Sequence, residues 1–450
     1  MCGVAGAINV TDAALVVRAM LHSLQNRGQQ AAGIFSLEDT VYHQHRGLGT
    51  VANDIPEAVL MGLKGDQAIG HNRYATAPNS AGVENIQPIF FTVDNSPIAI
   101  AHNGNFTNIE SLEATELLGT PFLTKSDTER FLRLMLREHR TVALEQSIIQ
   151  ALGKMEGTCS AVLTLPGKLV AVRDPSGNRP LYWGKYQDGY VVASETCALD
   201  AIGVFDYKEV DAGTVLTFTK DGVEVAVFGN TPRRHCSFEW VYFSFPTSEI
   251  FGVHTASIRE AFGRRLALEH PVEADVIAGV PDSSNCAALG FADANKRGSL
   301  NRDLIVRRHN TGRTFILAGQ AKRKRAVTDK FAFDTQNIEG KRIVLIDDSL
   351  VRGTTSRGIS HSLRERGATE VHWRIAAPPV TGQCYYGINT AKRELLLAAN
   401  MTNAQMCADI EADSLEFLSM EGFQSVILEH GVEPSDCCFA CMNGEYFHTC

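Results

Sequence analysis

The sequence predicts two unlike halves: an α+β half of short strands and helices, then an α/β half built on a parallel sheet. At 450 residues the chain has room for about three average domains or two large ones. Residues 1–230 show short apolar runs ending in polar residues, interleaved with helical stretches and many turns. From about residue 255 the pattern changes to strand, loop, helix and strand within about 35 residues, the βαβ unit that requires a parallel sheet. Composition agrees with a globular chain. Hydrophobic residues make up 44% and charged residues 21%, which excludes a disordered polymer, and 38 Gly against 15 Pro excludes a collagen-like one.

In the first half, Ala68–His71, Ile98–Ala101 and Val191–Ser194 read as buried strands, with helices near 12–26, 126–140 and 142–155. Ser126 with Glu129 three residues on predicts a capping box at the second helix. The turn-rich, basic segment 228–236 places a boundary, giving a first domain at 1–232 and a second at 233–400. In the second, Ile258–His270 reads as a helix and 275–280 and 341–346 as buried strands. A polar loop at 347–355 follows, then a helix near 356–366 that ends at Gly367 and a strand over Val371–Ala376 that stops at Pro378-Pro379. Residues 401–450 are expected to form a helical, Cys-rich segment.

Charge and cysteine usage narrow the function. The 51 acidic and 42 basic side chains give a net charge of −9, which argues against a general nucleic-acid binder. Residues 296–330 nevertheless hold eleven Lys or Arg with only Asp303 and Asp329 as acids, a local field suited to a small polyanion. No apolar run approaches the roughly 18 residues that span a bilayer. Met1-Cys2-Gly3-Val4 lacks the features of a signal peptide, so a cytoplasmic location is expected. Eleven cysteines are too few for a disulfide scaffold, yet Cys407, Cys437, Cys438, Cys441 and Cys450 crowd into the last 44 residues.

Cys2 follows an initiator Met and is small enough for that Met to be removed. The thiol would then sit beside an α-amine of pKa roughly 7.7–8.0, able to take its proton. Cys2-Gly3-Val4-Ala5-Gly6, Arg27-Gly28-Gln29-Gln30-Ala31-Ala32-Gly33-Ile34, Gly70-His71-Asn72-Arg73-Tyr74-Ala75-Thr76, Ala101-His102-Asn103-Gly104-Asn105 and Arg173–Leu181 occur in that order. Together they resemble the class II glutamine amidotransferases, over nearly all of residues 2–200. The resemblance implies an N-terminal nucleophile hydrolase domain, an αββα sandwich, with Cys2 attacking the side-chain amide of glutamine. The Asn103 amide and the Gly104 backbone N–H would donate to the developing oxyanion. Arg73 would pair with the substrate carboxylate and Asp127 with its ammonium. Ala75 and Pro78 stand where the family usually has Ser and Gly.

Val344-Leu345-Ile346-Asp347-Asp348-Ser349-Leu350-Val351-Arg352-Gly353-Thr354-Thr355 sets two carboxylates at the end of a buried strand. The carboxylates suit ribose hydroxyls or Mg²⁺, and the Gly-Thr-Thr turn suits a phosphate at a helix N-terminus. The stretch lacks the Lys of an NTP-binding loop. It resembles the phosphoribosyl-pyrophosphate (PRPP) motif of type I phosphoribosyltransferases. That implies PRPP contacts from Asp347, Asp348, Ser349, Arg352, Gly353, Thr354, Thr355 and Lys330, with Mg²⁺ held by Asp347, Asp348 and Ser283. Departures are Ser284-Asn285-Cys286 in place of Gly-x-Pro, and Thr328, Ala332 and Phe333 around Lys330.

The order of the two domains resembles the glutamine phosphoribosylpyrophosphate amidotransferase family, as do Gly312-Arg313-Thr314-Phe315-Ile316 and Asp413–Ser419. Ser244-Phe245-Pro246-Thr247-Ser248 departs from its Ala-Arg-Pro-Asp-Ser. Cys438-Phe439-Ala440-Cys441 is a CxxC that reads alone as zinc, iron–sulfur or redox. With Cys236 and Cys384 and their flanks it resembles an iron–sulfur subgroup whose four cysteines hold a [4Fe–4S] cluster, the spacing favouring Cys438 over Cys437. The resemblance implies glutamine hydrolysis at Cys2 and internal passage of ammonia to C1 of PRPP. The products are 5-phosphoribosylamine, glutamate and pyrophosphate, in the first step of purine synthesis. A homo-oligomer, dimer or tetramer, is expected, without nucleic-acid or membrane partners. The alternatives are a class II amidotransferase with another acceptor, which needs an SGG-type or sugar-isomerase half absent here, and a PRPP-binding regulator, which has no need of the Cys2, Arg73, Asn103 and Asp127 set.

Overall fold

The computed structural model describes residues 1–74, 82–308 and 330–448. Ala75, Pro78, the Gly312–Ile316 motif, Thr328 and much of the basic stretch lie outside the described residues.

Two antiparallel sheets face one another in the first domain. One runs Tyr207–Glu209, Tyr182–Tyr186, Gly189–Ala193, Gly3–Ile8, Gln67–Arg73, Ala31–Glu38, Val41–Leu48. The other runs Gly222–Val227, Thr214–Thr219, Lys168–Arg173, Gly157–Leu165, Ser96–Phe106, Ile89–Val93. Val4, Phe35, Ile69, Ala101, Val162 and Leu169 fill the layer between them. Helix Ala13–Ser23 covers the outside of the first sheet with Val17, Met20 and Leu21. Helices Asp127–Glu138 and Leu144–Leu152 cover the second with Phe131, Met135 and Ile148. The result is the αββα sandwich expected. Strand Gly3–Ile8 is buried on both faces, which is why its sequence shows no polar alternation.

The capping box at Asp127–Glu138 forms only in part. The Ser126 hydroxyl accepts from the Thr128 N–H at 3.2 Å. Glu129 turns away to accept from the Leu123 and Thr124 N–H groups, because the preceding loop offers its carboxylate a competing set of donors.

The second domain is built on a five-stranded parallel sheet, in the order Ser299–Leu300, Val276–Gly279, Arg342–Asp347, Glu370–Ile375, Ser414–Phe417. Alternation along the central strand sorts its side chains. Val344 and Ile346 face helices Thr255–Glu269 and Asn285–Asn295, whereas Ile343 and Leu345 face Thr354–Glu365 and Asn403–Asp409. The segment from 401, expected to be helical and Cys-rich, also supplies the edge strand Ser414–Phe417, in register with His372–Ile375. A boundary at 400 therefore cuts through this sheet. Near the C-terminus, Cys437–Cys438 pairs in parallel with His235–Cys236 and ties the chain end to the domain junction. No helix among the described residues is long and apolar enough to cross a membrane.

Candidate active sites

Cys2 sits at the mouth of the sandwich, beside the end of strand Gln67–Arg73 and the middle of Ser96–Phe106. Its N–H donates to Asn103 Oδ1 at 3.1 Å, and its Sγ lies 3.8 Å from the Tyr74 carbonyl. With Oδ1 engaged, Asn103 Nδ2 is left buried with no hydrogen-bond partner among the described residues. Arg73 is 7% exposed; burial lowers its pKa while the neighbouring Cys2 pulls it up. Asp127, in the first turn of its helix, accepts from the Phe106 N–H at 3.1 Å and the Thr128 N–H at 2.8 Å. The fold thus gathers Cys2, Arg73, Asn103, Gly104 and Asp127 around one mouth. Met1 is fully buried, and its amine is pushed down to about 5, chiefly by burial.

Arg27 holds this end of the chain in place. Its Nε donates to the Cys2 carbonyl at 2.9 Å, and its Nη atoms reach Glu195 and Glu239 at 2.8 Å each. All three charged side chains are fully buried. Burial opposes the charge of Arg27, but the Glu239 and Glu195 carboxylates overcome it and hold the guanidinium well above its ordinary value.

The second site lies at the carboxyl end of the parallel sheet. Asp347 and Asp348 are 9% and 8% exposed. Ser284 Oγ donates to Asp347 at 3.0 Å, Ser349 Oγ to Asp348 at 2.6 Å, and Ser283 Oγ to the other Asp348 oxygen. Burial raises both carboxyl pKa values, and for Asp347 the adjacent Asp348 charge adds to it. Among the described residues no Lys or Arg is hydrogen-bonded to either carboxylate. Lys330 is nearby: burial lowers it, while Asp347, Asp348 and Asp282 pull it back up. Gly353 has φ +66° at the start of helix Thr354–Glu365, and a Cβ there would lie 2.5 Å from Leu397. Thr354 and Arg352 are exposed at that helix end.

One turn lies between the sites. In Glu239–Phe243, Glu239 binds Arg27, the Phe243 ring meets Tyr74 edge-on at 6.3 Å, and Tyr242 is pushed up to about 12 by burial and then by Asp348 and Tyr74. Arg259 donates to the Trp240 carbonyl and, at 2.8 Å, to that of Ser244.

Comparison with known proteins bears on this pair of sites. Residues 71–201 match a family described as a glutamine amidotransferase domain. The amidophosphoribosyltransferase of Bacillus subtilis is 41% identical, covering 99% of this chain and 94% of its own length. That of Methanothermobacter thermautotrophicus is 38% identical over 99% and 94%. The chain belongs to the amidophosphoribosyltransferase family. The solved structure of the B. subtilis glutamine PRPP amidotransferase, complexed with ADP and GMP, has a TM-score of 0.92 at 40% identity, covering 99% of this chain and 97% of that one.

The sequence motifs mark the candidate site residues but not the groups that hold them. Arg27 lies in a short motif near the chain start, and its carboxylate partners lie 168 and 212 residues away. Ser284, noted only as a departure from Gly-x-Pro, donates to Asp347. The four cysteines Cys236, Cys384, Cys438 and Cys441 are brought into one region. Cys236 is in register with Cys438, and each of Cys236, Cys438 and Cys441 interacts electrostatically with Cys384. Burial raises the thiol pKa values of Cys236, Cys438 and Cys441.

Removing Arg27 leaves the buried Glu195 without a cation among the described residues, and leaves Glu239 facing only Arg179 Nη1 at 3.7 Å. Arg27→Met is expected to destabilise the first domain by about 3–5 kcal/mol. The triple change Arg27→Met, Glu195→Gln, Glu239→Gln should recover most of that loss. Urea unfolding of both variants tests this; a single variant as stable as wild type would contradict the network's role.

Proposed function

We propose that the chain hydrolyses glutamine at Cys2 and delivers the ammonia to C1 of PRPP, giving glutamate, 5-phosphoribosylamine and pyrophosphate. The observation that carries the first half is the orientation of Asn103, whose Oδ1 holds the Cys2 nitrogen while Nδ2 waits unpartnered. Once Met1 is removed, that nitrogen is the α-amine beside the thiol. It takes the thiol proton, the thiolate adds to the amide carbon, and Asn103 Nδ2 with the Gly104 N–H stabilises the oxyanion. The amine returns the proton to the departing ammonia, and water then cleaves the thioester to glutamate.

In the second site, two buried adjacent carboxylates without a bonded cation fit Mg²⁺, which is commonly held by one or two carboxylates plus substrate phosphates. Asp347, Asp348 and Ser283 would hold it, and it would neutralise the departing pyrophosphate. The chain's own groups do the rest. Gly353, Thr354 and Thr355 present N–H and hydroxyl donors to the 5′-phosphate, and Lys330 meets the pyrophosphate. A homo-oligomer belongs to the same reading.

The cysteines fit a [4Fe–4S] cluster. Their neighbour Arg179 is fully buried, and its charge is favoured, against burial, by Cys236, Cys384 and Glu239, as suits an anionic thiolate set. Among the described residues no three His, Cys, Asp or Glu side chains converge as a single ion would need. When bound, the cluster supplies cross-linking of residues 236, 384 and 438–441.

Cys2→Ala should abolish glutamine-dependent synthesis yet leave synthesis from ammonium salts; loss of both with the fold intact would refute two separate sites. Asp347→Asn with Asp348→Asn should lower PRPP-dependent turnover with either nitrogen source by at least roughly 100- to 1000-fold. Basal glutaminase should survive without stimulation by PRPP, and wild-type synthesis would place the site elsewhere. Protein purified without oxygen should carry about four iron and four sulfide per chain, lost in Cys384→Ser. Zinc, or stable metal-free protein, would overturn the cluster.

A further inference from the structure

The oxyanion strand is gripped from the second domain. Tyr385, Tyr386 and Gly387 follow Cys384 and run against residues 103–105. Asn105 Nδ2 donates to the Tyr385 carbonyl at 2.9 Å. Thr158 Oγ1 donates to the Tyr386 carbonyl at 3.0 Å and accepts from the Asn105 N–H at 3.3 Å, so one hydroxyl joins both backbones. The Tyr386 carbonyl also accepts from Arg179 Nε at 3.1 Å, and Arg179 is fully buried. Gly387 has φ +101°, and a Cβ placed on it would lie 2.9, 3.0 and 3.2 Å from the O, C and Cα of Gly104. Gly104 is itself closely packed, since a Cβ on it would lie 2.0 Å from the Thr158 carbonyl oxygen.

We propose that Tyr385–Gly387 is a positioning clamp for glutamine hydrolysis, a segment of the phosphoribosyltransferase domain that sets where the Gly104 N–H and the Asn103 amide meet the oxyanion. Gly387 is its positioning residue. The proposal rests on Asn103 and Gly104 being the oxyanion donors. Those donors act only in the transition state, so displacing them lowers the rate without loosening the ground-state grip of Arg73 and Asp127 on glutamine. A methyl at Gly387 meets backbone, not a flexible side-chain end, so the oxyanion strand must shift to admit it.

Gly387→Ala is expected to reduce the glutaminase kcat by roughly 10- to 100-fold, with the KM for glutamine within about twofold of wild type. Ammonia-dependent synthesis should stay near wild type. The aldehyde analogue of glutamine, whose thiol adduct carries an oxyanion, should lose affinity in proportion to kcat, whereas glutamate should not. Asn105→Ala removes one clamp bond without adding an atom and should give a smaller loss of the same selectivity; it carries the test if Gly387→Ala does not fold. Unchanged kcat in both variants, or a parallel fall of both activities with the melting temperature, overturns the clamp. Asn103→Ala separates the two ideas. If it retains full glutaminase activity, the oxyanion reading itself fails; if it loses activity while the clamp variants do not, only the clamp fails.

Discussion

The buried Arg27 guanidinium, shared between Glu195 and Glu239, is the interaction on which both sites depend. Desolvating one cation and two carboxylates is expensive, and such a group is tolerated only when its hydrogen-bonding capacity is filled. Here most of it is. Glu195 accepts from Arg27, Asn26, the Phe245 N–H and the Ser248 hydroxyl; Glu239 accepts from Arg27 and Ser244. The Arg27 Nε–H goes to the Cys2 carbonyl, so four of its five N–H donors have partners. The Cys2 backbone and the junction between domains are therefore fixed by one charge-compensated cluster, and neither can shift without unpairing a buried ion.

That cluster explains why the turn Glu239–Phe243 can serve two sites at once. Its first residue is locked to Arg27, its C-terminal flank is held through the Ser244 carbonyl by Arg259, and Phe243 and Tyr242 project between Tyr74 and Asp348. Arg259, Ser283 and Asp348 line one small cavity with Val241. A ligand that reorganises the Asp347–Asp348 site thus acts on groups in direct contact with the turn that borders the glutaminase mouth.

How much of this was legible in the sequence depends on how local each interaction is. Strand Arg342–Asp347 and its following helix could be read because the apolar run, the Asp pair and Gly353 are contiguous. The residues proposed to face substrate could be named because each sits in a short ordered motif. Arg27 with Glu195 and Glu239 could not, since nothing in a linear string marks three charges so far apart as partners. The capping box failed for a similar reason: Glu129 has the right spacing, but loop donors at 123 and 124 outcompete the N-cap. Strand Ser414–Phe417 escaped notice because a four-residue half-buried edge carries too little alternation to read, and its identity comes from its neighbour in the sheet.

The departure at 244–248 gains a physical meaning from the same cluster. Where the family pattern has Ala, Ser244 places a hydroxyl 3.0 Å from Glu239; where it has Arg, Phe245 contributes only its backbone N–H, 2.7 Å from Glu195. A hydrogen bond to a charged acceptor contributes about 1.5–3 kcal/mol, so the Ser244 hydroxyl reinforces a carboxylate already facing Arg27. The Phe245 side chain is 43% exposed, so position 245 reaches Glu195 through its backbone alone. The cluster thus sets two carboxylates against two buried cations, Arg27 and Arg179, and fills further carboxylate lone pairs with neutral donors from 244, 245 and 248.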